Sequence, residues 1–139
     1  MRLGNKVSPH QSDFGGTCSG GILMKRAAIA FVLLYSVLAR ASISATEAKN
    51  HVGEDTTVCG TVASAHYAAT SRGKPTFINL DAPYPNQIFT ILIWGTDRTK
   101  FGHPEQTYSG KRVCVTGTIT LYRGIPETEA SEPSQIEVR

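Results

Sequence analysis

Long apolar runs, clustered histidines and closely spaced cysteines are all missing from this 139-residue chain, and each absence removes a class of function. No stretch reaches the roughly 20 consecutive apolar residues that a membrane-spanning helix needs. His51, His66 and His103 stand apart, with no H-x-H or H-x-x-x-H spacing of the kind that holds zinc. There is no C-x-x-C pair, so thiol redox catalysis has no starting point. No glycine-rich loop runs into a helix start and no serine or cysteine sits in a nucleophile elbow, which leaves a nucleotide enzyme or a serine hydrolase without its machinery. No cofactor is implied. Between Thr56 and Val138 the apolar residues nowhere recur with a helical period for ten residues, which excludes a helical bundle.

What is present begins with a targeting signal. Met24 to Ala41 reads "MKRAAIAFVLLYSVLARA": a basic end at Lys25 and Arg26, an apolar run from Ala27 to Ala39, and a small-x-small cleavage site at Ala39-Arg40-Ala41. An uncleaved anchor is the alternative, but the run is short for one. Residues 1–23 hold five glycines and no apolar period, so they read as a non-native or extended leader, with Met24 the true start. The expectation is an exported protein, periplasmic or extracellular, with no stable membrane insertion after cleavage. Its working part is one domain over residues 46–139, about the size of a single small core.

Export changes the charge balance. After Ala41, nine Lys and Arg stand against ten Asp and Glu, a net charge of −1, so the +3 of the full chain comes from the leader. The charges are segregated all the same. Arg72, Lys74, Arg98, Lys100, Lys111, Arg112 and Arg123 give the segment 56–123 a net +4, and the last sixteen residues sum to −3. A local basic surface is one reading of that segregation. An ordinary mixed solvated surface is the other.

Period-two alternation marks the strands. In "TTVCGTVASAHY" Val58, Gly60 and Val62 share the inward face; in "PTFINL" Ile78 and Leu80 point in, with Phe77 and Asn79 out; in "IFTILIWG" Phe89, Ile91 and Ile93 point in, with Thr90, Leu92 and Trp94 out. "KRVCVTGTITLY" places Val113, Val115, Gly117, Ile119 and Leu121 inward, opposite Cys114, Thr116, Thr118, Thr120 and Tyr122. The last strand comes from "PETEAS", from "EPSQIEV", or from both with a kink at Pro133. Between the third and fourth strands lies the one helical candidate, limited to a turn or two by Gly102 and Pro104 and anchored by Phe101 and Tyr108. Three strands, a short helix and two strands predict an all-β protein, a five-stranded OB-fold Greek-key barrel. Gly60 and Gly117 supply the bends its long first and fourth strands need. A five-stranded barrel of the SH3-like kind is the runner-up.

Cys59 and Cys114 are the cysteines of the exported part. First and fourth strands are antiparallel neighbours in an OB barrel, so the two sulfurs are expected to form a disulfide, which an oxidising compartment preserves. Two semi-buried free thiols are the alternative.

For function, the alternation places Phe77, Asn79 and Trp94 on the usual ligand face of such a barrel. Arg72 and Lys74 enter that face from the first loop, Tyr122 and Arg123 from the turn "LYRGIPE". Aromatic rings on such a face stack bases and cations meet phosphates. Packing under the helix or the "APYP" loop is the structural alternative for Phe77 and Trp94. Thermonuclease-type enzymes share the barrel, and Asp81, Asp97 and Glu105 with Arg98 and Arg123 are their only candidate residues here; they lack that family's arrangement, and a non-enzyme is expected.

The segments "GKPTFINLDAPYPNQIFTILIWG", "FGHPEQTYSGKRVCVTGTI" and "YRGIPETEASEPSQI" resemble the OB-fold nucleic-acid-binding modules found alone or attached to extracellular nucleases in bacteria, a group related to the anticodon-binding OB superfamily. The resemblance spans Thr46 to Val138. Thr128 departs from the aliphatic residue expected at its position, which puts the closure of the last strand in question. Nucleic acid is the partner that the resemblance implies, and the stacking face suggests a single strand. A protein partner is the alternative, with Glu127, Glu129, Glu132 and Glu137 as its contact surface.

Overall fold

A computed structural model describes residues 41–139, so the leader and the expected signal segment up to Arg40 lie outside the described residues. Seven strands form in chain order: β1 Ser42–Ser44, β2 Asp55–Tyr67, β3 Thr76–Leu80, β4 Phe89–Ile93, β5 Arg112–Tyr122, β6 Ile125–Glu129 and β7 Ile136–Val138. Two single-turn helices, α1 Arg98–Phe101 and α2 Pro104–Thr107, fall between β4 and β5. Gly102 ends the first and Pro104 opens the second, as expected.

Five strands close a ring. β2 pairs with β3 and β3 with β4, both antiparallel; β4 pairs with β6 in parallel; β6 returns to β5, and β5 to β2, antiparallel. This is the OB-fold Greek key. The interior is lined by Val58, Val62, Ile78, Leu80, Phe89, Ile91, Ile93, Val113, Val115 and Ile119, with Phe101 and Tyr108 plugging it from the helical segment. The inward alternation read from the sequence holds along every barrel strand up to Leu121. That residue was expected inward but is 54% exposed, because the β5–β6 hairpin runs past the mouth of the barrel.

Both candidate segments for the last strand are used. "IPETE" closes the ring as β6, a 3₁₀ turn at Pro133–Gln135 redirects the chain, and β7 pairs with the first half of β5. β1, which the sequence did not announce, pairs in parallel with β2 along Thr57 to Cys59. Gln135 fixes the turn by accepting from the backbone N–H groups of Ser131 and Glu132 and donating to the carbonyls of Thr116 and Glu129.

Cys59 and Cys114 are bonded, and they face each other across β2 and β5. The Cys59 carbonyl accepts from Ala45 on the β1 side, so the two cysteines form a non-hydrogen-bonded pair, the closer of the two antiparallel arrangements. Both are buried although they point away from the barrel interior. A bond of this kind persists in oxidising compartments. Among the described residues no helix is long and apolar enough to cross a membrane.

Thr128 answers the question raised by its departure. It lies inside the ring, donates to the Thr118 carbonyl at 3.2 Å, and rests its methyl over Gly117. A Cβ on Gly117 would lie 2.7 Å from Thr128 Cγ2, so strand closure here depends on glycine facing threonine.

Candidate functional site

The outward rows of β3, β4 and β6 make one continuous face. Register pairs Phe77 with Leu92 and Leu92 with Glu129, and in the next row Asn79 with Thr90, Thr90 with Glu127 and Glu127 with Thr120. Phe77 is half-buried, and Leu92 is buried among its neighbours.

Asn79 was expected to meet ligand, and the structure corrects this. It is 3% exposed. Its amide donates to Ser64 Oγ and its carbonyl oxygen accepts from Thr90 Oγ1, while Ser64 also takes the N–H of Tyr84 from the β3–β4 loop. Folded over by that loop, Asn79 ties strands together.

The other expected residues fall into two groups. Arg72 and Lys74 occupy the β2–β3 loop beside the Thr76–Ile93 end of the face, with Phe77 and Trp94 next to them. Tyr122 and Arg123 sit at the opposite end, where the β5–β6 hairpin turns through Arg123 and Gly124, both at positive φ. Arg123 lies over the Tyr122 ring at 5.3 Å, and Tyr122 is 54% exposed.

Trp94 packs against the β2–β3 loop, not under the helix or the "APYP" loop that its structural alternative named. Its ring packs on Gly73, where a Cβ would come within 2.8 Å, and Gly95 N–H donates to the Gly73 carbonyl, so the basic loop is fastened to the end of β4. The ring also remains 37% exposed and lines a cleft of about 450 Å³ together with Asp55, Asp97, Thr118, Thr120 and Glu129.

Charge pairing separates the cations. Arg98 is held by Glu105 at 2.6 Å and stacks on Tyr67; Lys100 bridges Asp97 and Glu132; Arg139 meets Glu137. Lys49, Arg72, Lys74, Lys111, Arg112 and Arg123 pair with no carboxylate among the described residues, and of these six Arg72, Lys74 and Arg123 stand at the ends of the face. The five residues considered for a thermonuclease-type centre do not converge. Arg98 and Glu105 hold each other, Asp97 holds Lys100, Asp81 accepts from the Thr61 N–H, and Arg123 is at the hairpin tip. No group of three or more potential metal ligands occurs among the described residues.

The acidic tail also divides. Glu132 and Glu137 are spent on Lys100 and Arg139, while Glu127 and Glu129 stand on the barrel face. Burial, and then the charge of Glu129, pushes the Glu127 carboxyl above its ordinary value. Its ionised form is therefore a cost to the folded state at neutral pH, and that cost fades as pH falls through the raised value. Glu127→Gln is expected to raise the melting temperature by about 2 °C at pH 7, with the gain gone by about pH 3.5, where wild-type Glu127 is protonated folded or unfolded. Melting curves across that range check it.

Thr118, Thr120 and Tyr84 were not singled out as site residues from the sequence, and Glu129 was named only as part of the acidic tail. The alternation that placed Tyr122 outward placed Thr118 and Thr120 with it, so that signal existed. Tyr84, 75% exposed in the β3–β4 loop, had none beyond its flanking prolines.

No family model matches the chain, and no curated protein matches it. Among solved structures, an OBody bound to hen egg-white lysozyme aligns with a TM-score of 0.51 at 16% identity, over 72% of this chain and 93% of that one. A second OBody bound to the same lysozyme gives 0.49 at 14% identity, covering 69% and 90%. A putative aspartyl-tRNA synthetase from Leishmania major Friedlin gives 0.47 at 13%, covering 86% of this chain and 25% of the synthetase. At such identities the likeness concerns the fold alone.

Proposed function

We propose that this domain is an exported binding module for single-stranded nucleic acid, with little sequence preference along most of its contact. The observation that carries the reading is where three of the six unpaired cations stand. Arg72 and Lys74 at one end of the barrel face, and Arg123 at the other, have no carboxylate partner among the described residues, and each group stands beside an exposed or half-buried ring. Between them the face offers the half-buried Phe77 but also two carboxylates, so phosphates are met at the ends and bases turn toward the middle. Stacking on such rings contributes about 1 to 3 kcal/mol per base.

Three phosphate contacts give modest affinity, with a slope of about −2 in log K against log salt, at roughly −0.7 per contact. Fluorescence anisotropy of a labelled single-stranded oligonucleotide at two salt concentrations measures it. Arg72→Ala with Arg123→Ala should flatten the slope by about two thirds and weaken binding at low salt at least tenfold. Equal binding by wild type and the double variant, or none by either, would reject the reading in favour of a protein partner.

A further inference from the structure

The cleft beside Trp94 carries chemistry that the backbone-binding reading does not use. Resting on that reading, we infer that this cleft is a pocket for a single nucleobase bearing an exocyclic amine, with Trp94 as its stacking wall and Glu129 as its hydrogen-bond acceptor.

The argument starts from what the cleft offers. One wall is the indole of Trp94, backed on Gly73. Thr118, Thr120, Glu129 and Asp55 line it as well, and the Thr120 hydroxyl is donated to the Glu127 carbonyl. Asp97 also lines the cleft, but Lys100 neutralises it at 3.0 Å. Gln135, the one amide in the lining, is committed to the chain turn and has no free donor to offer. A flat ligand that stacks on the indole and brings N–H donors to the Glu129 carboxylate suits this lining. At about 450 Å³ the space suits one base with its sugar at the mouth.

What sets the ligand apart from a basic side chain is the neighbouring charge. The loop with Arg72 and Lys74 is fastened to Trp94 and Gly95 through the Gly73 carbonyl, and Lys74 Cβ lies within 3 Å of where a Gly95 Cβ would be. A nucleotide whose base stacks on Trp94 thus meets cations with its phosphate and carboxylates with its base edge. A lysine or arginine side chain would pass the same cations unfavourably. Among pyrimidines, cytosine offers N4–H to a carboxylate, a charge-assisted bond. Thymine flanks its single N–H with two carbonyl oxygens, which the carboxylate repels.

Trp94 is the only tryptophan in the chain, so its emission reports on the cleft without ambiguity. The test is titration of the protein at low salt with labelled octamers of deoxycytidylate and of thymidylate, read by anisotropy and by Trp94 emission. The deoxycytidylate octamer should bind about tenfold more tightly and quench Trp94. Exposed Glu129→Ala should weaken deoxycytidylate and, with the repulsion gone, not weaken thymidylate, so that the two bind alike. Lys74→Ala should weaken both alike. Equal affinities, a cytosine preference that survives Glu129→Ala, or binding that leaves Trp94 emission unchanged would each overturn the pocket while leaving the nucleic-acid reading intact. Failure of both octamers to raise anisotropy sinks that reading and the pocket with it, and quenching by oligoarginine in that case would assign the cleft to a cationic side chain.

Discussion

Serine at both Cys59 and Cys114 is expected to lower the melting temperature by roughly 20 °C. The bond closes a loop across a sequence separation of 55, for which chain entropy alone gives about 4 kcal/mol, and each kcal/mol moves the midpoint of a domain this size by about 4 to 8 °C. That loss is a large share of what holds so small a domain folded. Reduction of the wild type under denaturing conditions, followed by alkylation and refolding, should reproduce the variant's midpoint. Intact mass with and without reductant counts the thiols. Two freely alkylating thiols in protein purified without reductant, or a double-serine midpoint within a few degrees of wild type, would refute this.

Gly117→Ala is the second large effect, about 2 to 3 kcal/mol of destabilisation from overpacking. The added methyl would stand 2.7 Å from Thr128 Cγ2, inside the ring, where neither β5 nor β6 can give way without disturbing the barrel. The cause is checked by its partner. Thr128→Ser removes the obstructing methyl and keeps a hydroxyl for the Thr118 carbonyl, so Gly117→Ala with Thr128→Ser should recover most of the loss. A double-mutant cycle in urea then shows a coupling of about 1 to 2 kcal/mol. Additive losses would mean that the glycine is needed for its backbone and not for the space it leaves.

The barrel was legible because its information is local. Alternation in "KRVCVTGTITLY" and "IFTILIWG" fixes which side of each strand is core, and the turn residues fix where strands end. Asn79 shows where this stops. Alternation placed it outward, correctly, but whether an outward residue meets solvent depends on the β3–β4 loop, which brings Tyr84 N–H onto Ser64 and closes over the amide. Leu121 fails for a related reason, since a strand's pattern does not say where the barrel beneath it ends. The cleft was legible only in part, since alternation turned Trp94, Thr118 and Thr120 outward without bringing them together. Glu129 reaches Trp94 only through the parallel pairing of β4 with β6, a contact between segments far apart in sequence that no periodicity encodes. β1 offered three residues, too few for a pattern.

That parallel pairing has a consequence for how the ring breathes. β2 and β5 are joined over seven register pairs and a covalent bond, whereas β4 and β6 meet over three pairs, Thr90 to Leu92 against Glu127 to Glu129. The ring therefore has a weakest seam, and transient opening concentrates there. Trp94 and Glu129 stand on opposite banks of it. If the cleft takes a base as proposed, that base is expected to act as a rivet, slowing amide exchange at Ile91 and Thr128 while leaving the β2–β5 amides unchanged.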